Sequence, residues 1–130
     1  MAWLRHSLRA TPYWITGHQI YSEASLRAGD ISGAYASAMT VLHCEPLGSL
    51  ARDAKIVLAS CYLRSGGATR TVEILSELSK VSDLPVHAKE DLAAAYMALN
   101  QMEQARGVLE KVPVGELSIA GRAAVEFLRK

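Results

Sequence analysis

Four histidines, two cysteines and a scatter of carboxylates are the side chains here that could hold a metal, attack a carbonyl or move a proton. A locally encoded metal site needs ligands one helical turn apart or in a CxxC pair. His6, His18, His43 and His87 contain no i, i+3 or i, i+4 pair, and Cys44 and Cys61 form no CxxC pair. Glu90 beside Asp91, and Glu103 with Glu110 and Lys111 nearby, are the carboxylate groupings. Nothing in their spacing divides them into an acid and a base, so they read as solvated helix faces. The nucleophile elbow, the phosphate-cradling glycine loops and HExxH are absent, and Gly66-Gly67 reads as a chain reversal. The sequence therefore predicts no enzyme, no metal and no cofactor. Both cysteines lie on predicted helices among small apolar neighbours, which predicts buried free thiols, with a Cys44–Cys61 bridge as the alternative.

The elements that position these residues are helices. Alanine occurs 20 times and leucine 16 times, whereas the whole aromatic share is 6%. That bias suits helices packed at close range rather than a sheet core of β-branched and aromatic residues. Half the chain is hydrophobic and the net charge is +1, which excludes the disordered class and argues against a nucleic-acid partner. No apolar run approaches the ~20 residues of a membrane span. Turn signals at Thr11-Pro12, Gly29-Asp30, Pro46, Gly66-Gly67, Leu84-Pro85, Asn100 and Pro113 separate segments of helix length. Apolar residues within them recur at three and four, as in Ile56, Ala59, Tyr62 and Leu63 or Leu92, Ala95, Tyr96 and Leu99. The reading is a partial helix at 2–10 and helices near 14–28, 31–44, 50–64, 68–81, 86–99, 102–111 and 116–129.

Two of these segments repeat each other. Ala54-Lys55 with Leu58, Ala59 and Tyr62 spells AKxxLAxxY, and Ala88-Lys89 with Leu92, Ala93 and Tyr96 spells it again 34 residues later. Leu75 and Leu109 extend the match at the same offset. A 34-residue helix–turn–helix period is the mark of one repeat architecture. On these residues the chain resembles the tetratricopeptide repeat family. Leu58, Ala59 and Tyr62 match its L-G/A-x2-Y core, as do Leu92, Ala93 and Tyr96. Gly66 and Asn100 sit at the turns, and Ala105 takes the small slot of a second helix. A more degenerate copy runs from Ile15, with Tyr21, Ser22 and Ser25 at the core positions and Gly29, Ala34, Ala38, Val41 and Pro46 behind them. An insertion around residues 47–50 stretches its offset to 37.

The resemblance implies an all-α fold, an α-α superhelix of antiparallel helix pairs forming one domain over 1–130. Repeats fall at 15–51, 52–85 and 86–115. Residues 1–14 read as a partial repeat through Leu4, Ser7, Leu8 and Pro12. Residues 116–130 read as a closing helix with Ala120, Ala123, Ala124, Val125, Phe127 and Leu128 on its apolar side. Residues 1–14 also carry basic residues and no acid, a superficial likeness to an organellar leader that the maintained register outweighs.

In such arrays the first helices of successive repeats line a concave groove for a partner segment. Register assigns to it Gln19, Glu23, Leu26 and Arg27, then Asp53, Ile56, Ser60, Leu63 and Arg64, then His87, Glu90 and Met97, with Ala94 and Ala98 beside them. Leu26, Leu63 and Met97 recur as an apolar track with Arg27 and Arg64 alongside. This implies a protein or peptide partner with an apolar anchor and an acidic group. The other reading makes the track ordinary inter-repeat core and the arginines solvated. The clamp for chaperone C-terminal carboxylates is not matched, because its slots hold Gln19, Glu23, Ser60, His87 and Asp91.

The function so implied is a non-catalytic interaction module, a scaffold or assembly factor, with no nucleic acid and no membrane insertion. The rivals are self-assembly into a homo-oligomer through the partial repeat and a small secretion-type chaperone holding an apolar helix of its client. A piece of a larger bacterial-type envelope or secretion factor is expected by association only. Without a secretory signal the expected compartment is cytoplasmic, or periplasmic if the chain belongs to an envelope protein.

Overall fold

The computed structural model describes residues 14–44 and 49–129. The partial repeat through Leu4, Leu8 and Pro12, and the turn at Pro46, lie outside the described residues. Within them the chain is all-α. Its helices are α1 (Trp14–Arg27), α2 (Ile31–Cys44), α3 (Ser49–Arg64), α4 (Ala68–Val81), α5 (Val86–Ala98), α6 (Met102–Glu110) and α7 (Ile119–Arg129), with a 3-10 turn at Val114–Glu116 before α7. Each helix before α7 falls within one residue of the span that periodicity predicts.

The turns inside the helix pairs are built alike. Gly29, Gly66 and Asn100 all have positive φ, at 84°, 88° and 62°. After α1, the Gly29 N–H reaches the Leu26 carbonyl at 3.1 Å and the Asp30 N–H reaches Ser25 at 2.8 Å. After α3, Gly66 reaches Leu63 at 3.2 Å and Gly67 reaches Tyr62 at 2.6 Å. After α5, Asn100 reaches Met97 at 3.0 Å and Gln101 reaches Tyr96 at 2.8 Å. Each is the paired hydrogen bonding of a Schellman motif, which satisfies two terminal carbonyls and needs a left-handed residue at the reversal. Glycine adopts that conformation without a Cβ penalty, and asparagine tolerates it best among the rest. Between the second and third pairs, and again ahead of α7, proline does the punctuation. Leu84 and Val112 are buried just ahead of Pro85 and Pro113, where a residue preceding proline is held extended.

Consecutive helices pack on one another, and α1 also packs on α3 and α3 on α5. The core is divided in series. One cluster joins Ala34, Ala38 and Val41 of α2 to Ala54, Val57, Leu58 and Cys61 of α3. A second joins Ile56 and Ala59 of α3, Leu75 of α4, and Leu84, Ala88 and Leu92. A third joins Ala93 of α5, Ala105 and Leu109 of α6, Val112, Leu117, and Leu128 of α7. The alanines let backbones approach closely. At the slot shared by Ala34 and Ala105, α4 carries Thr71, fully buried. Its hydroxyl finds an acceptor in the Ala59 carbonyl of α3 at 2.8 Å, as a buried hydroxyl must.

The tyrosines join neighbouring pairs. Tyr62 meets Tyr35 of α2 edge-on with ring centroids 5.9 Å apart, and Arg70 of α4 lies over its ring at 5.5 Å. Tyr96 packs against both the second and the third cluster, with its hydroxyl 3.4 Å from Ser76 of α4.

Three sequence expectations need correction. The closing helix starts at Ile119 rather than 116, because Ser118 is its N-cap: the Ser118 hydroxyl accepts the Gly121 N–H at 3.1 Å. Its buried side is Gly121 and Leu128, with Ala124 and Val125 half-buried, while Phe127 is 58% exposed. Cys44 is exposed; only Cys61 is a buried thiol, and the two are not bridged.

Candidate partner-binding groove

The first helices of the three pairs, α1, α3 and α5, share a cavity of about 470 Å³. Of the residues that register assigns to the groove, Glu23, Leu26 and Arg27 line it from α1, and Asp53, Ile56, Ser60 and Arg64 from α3. His87 lines it from α5. Val57, Pro85 and Asp91 complete the wall. The apolar surface comes from Leu26, Ile56, Val57 and Pro85, and charged groups stand around it. Pro85 is held in place from both sides of its loop. The Asp83 carbonyl accepts a hydrogen bond from Arg52 of α3, and its carboxylate pairs with Lys89 of α5 at 3.0 Å.

The remaining assigned residues do other work. Gln19 is buried on α1, and its amide donates to the Glu23 carboxylate at 2.9 Å. Leu63 is half-buried and does not line this cavity. Met97 packs against the third cluster and lines a smaller cavity of about 180 Å³ between α5 and α7. Leu26 packs against the first cluster as well as lining the larger cavity. The apolar track is thus interrupted at Leu63, and its ends belong partly to the core.

Glu90 is engaged by α7. One carboxylate oxygen accepts the Ser118 N–H at 2.7 Å and the other its hydroxyl at 3.0 Å. In a capping box a glutamate within the same helix takes the N-cap N–H; here α5 supplies it from 28 residues away. Gly121 must lack a side chain for this, since a Cβ there would run into the Glu90 carboxylate.

The two arginines are not equivalent. Arg64 reaches across from α3 and donates to the Leu26 carbonyl at 2.9 Å, capping the C-terminal end of α1. A cation there adds a second bond to a carbonyl that already accepts the Gly29 N–H, and it meets the negative end of the helix dipole. Arg27 is exposed on the cavity's rim.

Asp91 is the carboxylate most affected by the site. Burial raises its pKa above the ordinary aspartate value; a hydrogen bond from Ser60 and the nearby His87 and Arg64 pull the other way, and Glu90 adds to the rise. Sequence register marks Asp91 only as a mismatch to the chaperone-tail clamp. Its signal is its place one turn beyond His87 on the same face of α5.

No three His, Cys, Asp or Glu side chains gather as a metal-ligand set among the described residues. No helix among them is long and apolar enough to cross a membrane. No family model, no curated protein and no solved structure matches this chain.

Proposed function

We propose that this chain is a non-catalytic interaction module of the tetratricopeptide type, a short run of helix pairs whose first helices receive a segment of a protein partner. The observation that carries the reading is the shared cavity. Leu26, Ile56 and Pro85, which come from α1, α3 and the start of α5, meet in one apolar hollow with charged side chains around it. Concave, mostly apolar hollows with a few polar groups are the usual form of a binding site. The direct packing of α1 on α3 and of α3 on α5, and the three like turns, support the repeat architecture behind it. In this reading the partner is a peptide segment with an apolar anchor, and the biological role is that of a scaffold or assembly factor.

Selection from a displayed random-peptide library tests the proposal. Arg27 and His87 are exposed lining residues, so Arg27→Trp with His87→Trp narrows the opening without disturbing the core. Peptides with a recurring apolar position should be enriched on the native chain, and the double variant, with unchanged helical circular dichroism, should lose them. Enriched peptides that bind the double variant equally well would remove the groove from the account.

A further inference from the structure

We infer that the segment received by this groove carries a lysine or arginine beside its apolar anchor. The inference rests on the groove reading and specifies the charge that the groove selects.

Asp91 lines both the larger cavity and the smaller one between α5 and α7, so one carboxylate borders two hollows. Across both, the fixed negative groups are Glu23, Asp53, Glu90 and Asp91, and the fixed positive groups are Arg27 and Arg64. The whole chain is +1, so this negative balance belongs to the groove and is not inherited from the molecule. Clefts lined by one sign of charge concentrate ligands of the other.

The groups also differ in what they have left to offer. Arg64 is already bonded to the Leu26 carbonyl, Glu90 to Ser118, and Glu23 to the Gln19 amide. Asp53 has no hydrogen-bond or ion-pair partner among the described residues. Asp91 accepts from Ser60 and is held short of full compensation, since burial still dominates its titration. A carboxylate accepts up to about four hydrogen bonds, and a desolvated one gains more from a cation than an exposed one. Arg27, which has no hydrogen-bond or ion-pair partner among the described residues, stands at the exposed rim, where an ion pair contributes little. The stronger charge recognition thus falls to the carboxylates, and the register-based expectation of an acidic group on the partner gives way to a basic one.

Three fluorescein-labelled peptide pools test this. Each has a central Leu, Ile or Met, flanked by Lys/Arg, by Asp/Glu, or by Gln. Anisotropy titrations are run on the native chain, on Asp53→Asn, on Asp91→Asn, on the double Asn variant, on Arg27→Gln and on the Arg27→Trp/His87→Trp variant. The basic pool should bind roughly tenfold more tightly than the acidic pool, a difference that weakens with salt. The preference should fall to within about twofold in the double Asn variant, and Arg27→Gln should leave it in place. Tighter binding of the acidic pool, lost in Arg27→Gln, would overturn the inference and leave the groove reading intact. Equal binding of all three pools, abolished by the tryptophan pair, would also overturn it while sparing the groove. Binding that the tryptophan pair does not affect would overturn both.

Discussion

Asp91 occupies a position where charge opposes stability. Its pKa is raised, chiefly by burial, so between the ordinary aspartate value and the raised one the folded chain holds a proton that the unfolded chain has lost. Stability is therefore fully present at acid pH and declines as pH rises through that window. Asp91→Asn keeps the shape and can still accept from Ser60. It should raise the urea midpoint at neutral pH, with an advantage that shrinks as pH falls below the carboxylate range; an advantage that is constant with pH would contradict the assignment. A side chain that costs stability and faces a cavity has the signature of a binding group. Glu90 does the opposite work. Glu90→Ala removes two charge-assisted hydrogen bonds from Ser118 and should destabilise the fold by about 1–3 kcal/mol. Because α7 packs chiefly on α6, the loss should show first as faster amide exchange along α7, with α3 and α4 unaffected. Uniform acceleration over all helices would argue against this local role.

The helix pairs are defined at their reversals. Gly66 and Asn100 occupy the same left-handed place 34 residues apart, and Gly29 occupies it 37 residues before Gly66. A Cβ on Gly66 would meet nothing within 4 Å, so the cost of substitution there is conformational. Gly66→Ala should lower stability by about 1–2 kcal/mol. Gly66→Asn should cost clearly less, since asparagine serves in that place at Asn100. Equal losses for the two would show that the turn does not impose the conformation. These elements were legible in the sequence because turn chemistry and apolar spacing both act over a few residues. The start of α7 was not, because the residue that completes its cap is Glu90, distant in sequence. Nor was the exposure of Phe127, since an amphipathic pattern shows that one side is apolar without showing how much of it a neighbour covers. Cys44 misleads for the same reason: small apolar neighbours along a helix do not place a residue at a contact.

At the scale of the whole molecule, the core of the described residues is three clusters in series, joined by the tyrosines and by the α1–α3 and α3–α5 contacts. Such an arrangement buries one side of the first helices among neighbours and leaves another side of the same helices to form a cavity. The groove residues near the cavity, such as Glu23, Asp53, Ser60 and His87, were legible because period 34 puts equivalent positions on equivalent faces. Asp91, Val57 and Pro85 were not assigned to the groove, since their roles there depend on how far each helix turns toward the next. The occupations of Arg64 and Glu90 were equally hidden, because both bind backbone of another helix. The most direct test of the central claim is an amide shift map of the 15N-labelled chain titrated with a library-selected peptide. The account predicts that perturbations gather at Leu26, Arg27, Ile56, Ser60, His87 and Asp91, on α1, α3 and α5. Perturbations centred instead on α2, α4 and α6, or spread evenly over the chain, would contradict it.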